Sequence, residues 1–211
     1  MHPNPAYRQE PEARALDFAA ARGFGAITAA GPEGALAAHV PFVIEAGESG
    51  GVLAAHLVRS NPLARHLKDG PAAALMIVWG PDGYISPDWY GEDDRVPTWN
   101  YVAVHLRGQL RLIEDDKLRA HLDRLSGNFE ARLAPKPIWK TDKMTPEALA
   151  KLLRQIVPVE MTIDSIDSTF KLNQNRADSA RLGAAAALAE GGTPGLETAA
   201  LAAMMREAGD A

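Results

Sequence analysis

The stretch His56 to Lys68, HLVRSNPLARHLK, carries Arg59, Arg65, Lys68 and two histidines with no acidic residue among them. The order of residue types suits an anion. Strand-like apolar residues run to Leu57, Ser60 and Asn61 are helix-capping types, and Pro62 fits a first helical position. The N–H groups of such a first turn have no intrahelical acceptor. A phosphate there would gain backbone donors, a hydroxyl or amide, and a two-pronged guanidinium. The same residues also describe an ordinary capped surface helix with solvated cations, and both readings stay open on these residues alone.

Two further groups of residues could bind. Trp79, Tyr84, Trp89, Tyr90, Trp99 and Tyr101 fall within 23 residues, although aromatics make up 6% of the chain. Ring faces stack on flat heterocycles, and they also plug barrel ends and subunit seams. Lys171 to Arg176, KLNQNR, places five polar donors in six positions, enough for carbonyls or phosphates and equally natural in a polar loop. His39 in AAHVPFVI and His105 are lone strand histidines, which structural roles explain.

Other chemistries are absent from the sequence. It has no GxxxxGK phosphate loop, no strand-linked GxGxxG, no HExxH and no GxSxG, and its histidines lack metal-ligand spacing. The chain has no cysteine, which excludes thiolate metal sites, disulfides and cysteine nucleophiles and fits a reducing cytoplasm. The start, MHPNPAYRQEPEAR, has no apolar secretory core, and no apolar run reaches membrane-span length. We therefore expect a cytoplasmic protein without a membrane partner. The formal charge is 22 − 27 = −5, so no global field attracts DNA, and no helix-turn-helix with a basic reading helix is present.

The elements that must position these residues follow from periodicity. A short helix is expected over 11–22, with Leu16, Ala19 and Ala20 on one face and Gly23 ending it. Strands are expected over 24–29, 34–44 and 51–57, separated by AAGPEG and EAGESGG. A helix from Pro62 and a central strand over 72–79 come next. Residues 80–97 read as an irregular loop. From Thr98 to Ile113, Val102, Val104, Leu106, Leu110 and Leu112 alternate with Tyr101, His105, Arg107, Gln109 and Arg111. Helices over 115–129 (capped by Asp115 or Asp116) and 145–156 precede strands over 157–166 and 168–172. Strands dominate and do not alternate with helices, so the expected fold is mainly β with peripheral helices (α+β), a small antiparallel barrel. Residues 1–176 are expected to form that domain, and the Ala-rich residues 177–211 a helical appendage.

HLVRSNP, YISPDWY, VPTWNYVAVHLRG and KLNQNR, in this order and spacing, together resemble the PaiB-type FMN-binding negative transcriptional regulators, over about residues 1–190. Family members usually carry a serine where this chain has Asp88, and often read KLSQNRP where it has Asn173 and Ala177. The resemblance implies a split β-barrel related to pyridoxamine-phosphate oxidases and flavin reductases, a homodimer, and FMN in the cleft between subunits. It implies that Arg59, Ser60 and Asn61, with His56, hold the FMN phosphate, and that His39, Val40 and Pro41 run along the isoalloxazine edge. Trp99, Asn100 and Tyr101 would frame the flavin or the dimer seam, and Lys171, Gln174 and Asn175 would complete the pocket. Two functions follow. One is a regulator whose effect is indirect, since the charge gives direct DNA binding little support. The other is an FMN-dependent oxidoreductase, of the flavin reductase or pyridoxamine-phosphate oxidase type, acting with NAD(P)H or on a small molecule. No residue is a convincing general acid or base, so the sequence does not decide whether the protein is an enzyme.

Overall fold

Among the described residues, strands β1 (Phe24–Gly31), β2 (Gly34–Glu45), β3 (Val52–Val58), β4 (Ala72–Ile85), β5 (Thr98–Leu112), β6 (Ile156–Lys171) and β7 (Gly195–Leu196) form one antiparallel sheet in the order β1-β2-β3-β6-β5-β4-β7. The computed structural model describes residues 1–45 and 51–208. Most of the expected EAGESGG turn lies outside those residues. The helices are α1 (Glu12–Arg22), α2 (Pro62–His66), α3 (Leu118–Ala131), α4 (Pro146–Leu153), α5 (Asp178–Glu190) and α6 (Thr198–Glu207). β1 pairs with β2 from Phe24↔Pro41 to Gly31↔Gly34 and also with β4 from Ala26↔Ile77 to Ala29↔Ala74. That second pairing joins the ends of the row β1-β2-β3-β6-β5-β4 into a barrel.

The chain divides into two compact units. One comprises Ala19–Ile77 and His105–Ile166 and holds the barrel. Its interior is the inward half of each alternating strand: Ile27, Val40, Phe42, Leu53, Leu57, Met76, Leu106, Leu110 and Met161 are all buried. α3 covers one end through Leu118, His121 and Leu125. Two glycines in this unit are dictated by geometry. Gly23 takes φ +58°, and a Cβ there would stand 2.8 Å from the Phe129 ring. At Gly108 a Cβ would stand 1.5 Å from the carbonyl oxygen of Thr162, so β5 and β6 approach as closely as they do because no side chain intervenes.

The other unit comprises Met1–Phe18, Val78–Val104 and Asp167–Ala211. Its core joins Ile85, Tyr90, Val102, Phe170 and Leu172 to Ala180, Ala184, Ala185 and Leu188 of α5 and to Leu201, Ala202 and Met205 of α6. The small alanines let the helices lie close to the sheet. Arg181, with a side chain 4% exposed, bonds the carbonyls of Met205 and Arg206 and the carboxylate of Asp178, so its charge satisfies the end of α6.

Several expectations need correction. Residues 80–85 continue β4 rather than opening a loop. Their turn-forming GPDG is held extended by β7, at Asp82↔Leu196 and Gly83↔Gly195, with Tyr84 N–H on the Pro194 carbonyl at 2.8 Å. β6 is one strand through Asp167, not two, because its polar residues Asp164 and Ser165 stand exposed while the strand continues. α3 starts after Lys117, and neither Asp115 nor Asp116 caps it with a side chain. In α1 the fully buried residues are Ala15 and Ala19 rather than Leu16 and Ala20. Thr145 caps α4 as its Thr-Pro-Glu start implies, accepting from Ala148 N–H.

Candidate functional site

The barrel unit carries the first group of residues. β3 ends at Val58, and the chain turns so that the Arg59 N–H meets the Gln155 carbonyl at 2.8 Å. Asn61 caps α2, its Oδ1 accepting from Leu63 N–H at 2.8 Å, with Pro62 at the first helical position. Ser60 is exposed between them. The Arg59 guanidinium is partly engaged. Nε donates to the Arg154 carbonyl at 3.1 Å, and Nη2 donates to the Ile156 carbonyl at 3.0 Å and to Asp115 Oδ2 at 3.1 Å. Nη1 is left without a partner among the described residues. Two N–H groups of the fork therefore remain for a ligand.

His56, behind this turn, faces another ring. Its Nδ1 lies 3.2 Å from His121 Nε2 of α3. Burial lowers the pKa of both, and His121, further opposed by His56 and Arg124, falls to about 4. Both rings are then neutral at neutral pH, so His56 is a polar neighbour of the turn and not a cation. In β2, Val40 is buried, His39 is exposed and Pro41 is half-buried. The His39 ring stacks near-parallel on Phe24, centroids 6.5 Å apart, and Phe24 is 48% exposed. His39, Val40 and Pro41 thus sit on the β1–β2 ladder, opposite Ala26, Gly25 and Phe24.

The second group falls in the other unit. Along β5, Asn100 points inward and is fully buried, while Trp99 is 43% exposed and Tyr101 half-buried. Trp99 Nε1 donates to Asp82 at 3.0 Å, and its ring meets Tyr84 edge-on. Asn100 Nδ2 contacts the Met205 sulfur at 3.5 Å, and its Oδ1 has no partner among the described residues. Lys171 at the end of β6 donates to the Thr98 hydroxyl. Gln174 is spent inside its own turn, accepting from Leu172 N–H at 2.8 Å and donating to the Phe170 carbonyl at 2.6 Å. Asn175 Oδ1 accepts from the Tyr7 hydroxyl at 2.9 Å. Burial lowers the Lys171 pKa, and the charge of Arg176 adds to the effect.

Arg59, Ser60 and Asn61 are thus brought into one turn at the end of the strand that carries His56, and Trp99, Asn100 and Tyr101 into one strand whose neighbour Thr98 holds Lys171. Tyr7 and His121 were not singled out from the sequence, and Asp115 only as a helix cap. Arg176 was read as one of the KLNQNR donors. Tyr7 lies 168 residues from its partner and had no local signal. Among the described residues no cluster of three or more His, Asp or Glu could hold a metal ion.

Residues 1–165 match the family described as a putative FMN-binding domain. The protease synthase and sporulation protein PAI 2 of Bacillus subtilis is 29% identical over 163 residues, covering 77% of each chain. Among solved structures, the FAD and heme binding protein of Mycobacterium smegmatis superposes with a TM-score of 0.55 at 19% identity, over 78% of this chain and 73% of that one. A conserved hypothetical protein of Mycobacterium tuberculosis does so with a TM-score of 0.55 at 13% identity, over 82% and 92% of the two chains. At those identities the likeness is one of fold.

Proposed function

The chain belongs to the PaiB-type FMN-binding family and its cofactor is FMN; from that premise we propose that it holds FMN at the seam of a homodimer, with any regulatory effect exerted indirectly through the flavin. The residues fit the group. Uncommitted N–H groups on Arg59 Nη1 and the exposed Ser60 hydroxyl are donors for a phosphate, and the exposed rings of Phe24 and Trp99 offer flat faces. FMN supplies one- and two-electron redox chemistry when bound. In this reading Arg59, Ser60 and Asn61 hold the phosphate, Asn61 by fixing the turn rather than by its own amide. His39, Val40 and Pro41 border the ring system, and neutral His56 orients the turn. Trp99, Asn100 and Tyr101 serve the seam, Trp99 through its exposed face and Asn100 from within. Lys171, Gln174 and Asn175 complete the polar edge, the last two by shaping the loop that presents Lys171.

The observation that carries the phosphate assignment is the unsaturated guanidinium of Arg59 beside an exposed serine. FMN affinity, measured by flavin fluorescence quenching, tests it. Loss of the charge-assisted bonds in Arg59→Ala should weaken binding by about 1.5–3 kcal/mol, and Ser60→Ala by about 1 kcal/mol. Asp115→Asn removes a competitor for the guanidinium at an exposed pair, so affinity should rise by up to about 1 kcal/mol. Unchanged affinity in all three variants would mean that the phosphate is held elsewhere. Sedimentation of the FMN-loaded protein as a monomer would remove the dimer from this reading.

A further inference from the structure

The positive charge on the KLNQNR turn is only weakly matched by acid among the described residues. Lys171 Nζ bonds a neutral hydroxyl, that of Thr98, and lies 5.9 Å from the centre of the Tyr7 ring. No carboxylate pairs with it among the described residues. Arg176 lies over the Tyr90 ring at 4.2 Å, and the carboxylate that reaches it, Glu92, is at 4.0 Å and already holds Arg95 at 2.7 Å. Other arginines contrast with this: Arg8, Arg59 and Arg111 each meet an acid at 2.9–3.1 Å. Yet those are surface pairs, whereas the Arg176 side chain is only 20% exposed. Two partly buried cations are held near enough to repel each other, and a structure gains nothing from that unless an anion joins them.

The neutral groups around the turn have the same bias. Asn173, 1% exposed and held at φ +63°, has no partner for its Nδ2 among the described residues. Asn175 has its oxygen taken by Tyr7, which leaves its amide N–H groups. A guanidinium stacked on a ring keeps its N–H edge free. The groups left over at this turn are therefore donors.

We infer that Lys171, Asn173 and Arg176 form a binding site for the oxyanion, carboxylate or phosphate, of a ligand other than FMN, so that the substrate or electron donor of this protein is an anion. The inference rests on the FMN reading above and adds a ligand class to it. It gives Lys171, beyond its place at the polar edge of the flavin pocket, an anion other than the FMN phosphate assigned to the Arg59 turn.

The test titrates the FMN-loaded protein with inorganic phosphate and, separately, with acetate, by calorimetry at constant low ionic strength. Lys171→Met, Arg176→Met, Lys171→Arg and a surface control, Arg111→Met, are run beside it. The expected result is saturable binding of at least one probe, weakened about tenfold or more in Lys171→Met and Arg176→Met and retained in Lys171→Arg and Arg111→Met. Melting temperatures identify any variant that fails to fold, and Lys171→Arg, which keeps the charge, then carries the comparison against wild type. The inference is overturned if neither probe binds wild type, or if Lys171→Met and Arg176→Met bind the probe as wild type does. Failure of wild type to take up FMN, seen as a missing flavin band, would sink the FMN reading, and the same titration on flavin-free protein would still decide the anion site.

Discussion

His56 and His121 share a contact of 3.2 Å between ring nitrogens, which works as a hydrogen bond only while one ring can accept. The free imidazole takes its proton near 6.5, and the folded protein holds His121 down to about 4. Between those values the unfolded chain binds the extra proton and the folded one does not, so acid favours unfolding. Stability should fall by up to about 1.4 kcal/mol per pH unit as pH drops from 6.5 toward 4, measured as urea midpoints across that range. His121→Gln should flatten the slope, and an unchanged slope would locate the acid sensitivity elsewhere. The members of the candidate site were legible at this scale by type, because Arg59, Ser60, Asn61 and the KLNQNR donors are groups suited to an anion. What could not be read was occupancy. Asp115 and His121 reach the β3–α2 turn from 56 and 65 residues away, and no local rule says which donors they leave over.

Strands carry the same lesson one level up. Where alternation was strong, as in β5, both the element and its inward face follow from sequence, since a pleated strand sends alternate residues to opposite sides. Where turn-forming residues interrupted the pattern, the neighbouring strand decided. GPDG in β4 is extended because β7, more than a hundred residues later, pairs with it. Gly108 had no local meaning either, being a buried residue without a side chain on the inward face of an alternating run. Its reason is the Thr162 carbonyl, 1.5 Å from where a Cβ would stand. Gly108→Ala must push β5 from β6 along their paired length, so we expect a loss on the order of 3 kcal/mol or more and a melting point lower by roughly 6–12 °C. The same substitution at Gly127, where a Cβ meets nothing within 4 Å on a helix, should be neutral or stabilising. Equal melting points for the two variants would refute this account of the β5–β6 approach.

At the scale of the whole molecule, charge and topology set what the protein can meet. A net charge of −5 opposes condensation on a polyanion, whereas a small anion needs only a few converging donors. We therefore expect no saturable binding to the DNA upstream of its own gene at any salt between about 50 and 200 mM, a range over which a protein making 6–10 phosphate contacts loses about 10³–10⁵ in affinity. A gel-shift or anisotropy titration that saturates and steepens as salt falls would restore the direct-repressor reading. The barrel itself, closed where β1 meets β4, has a consequence for how copies associate. Among the described residues, the ring of strands offers no free backbone edge where β1 and β4 close it, and the strand that ends the row, β7, is two residues long. Two copies that meet across the barrel wall must therefore recognise each other through side chains. That makes association a property single substitutions on the outer face can tune or abolish, without disturbing the ladder of hydrogen bonds inside each copy.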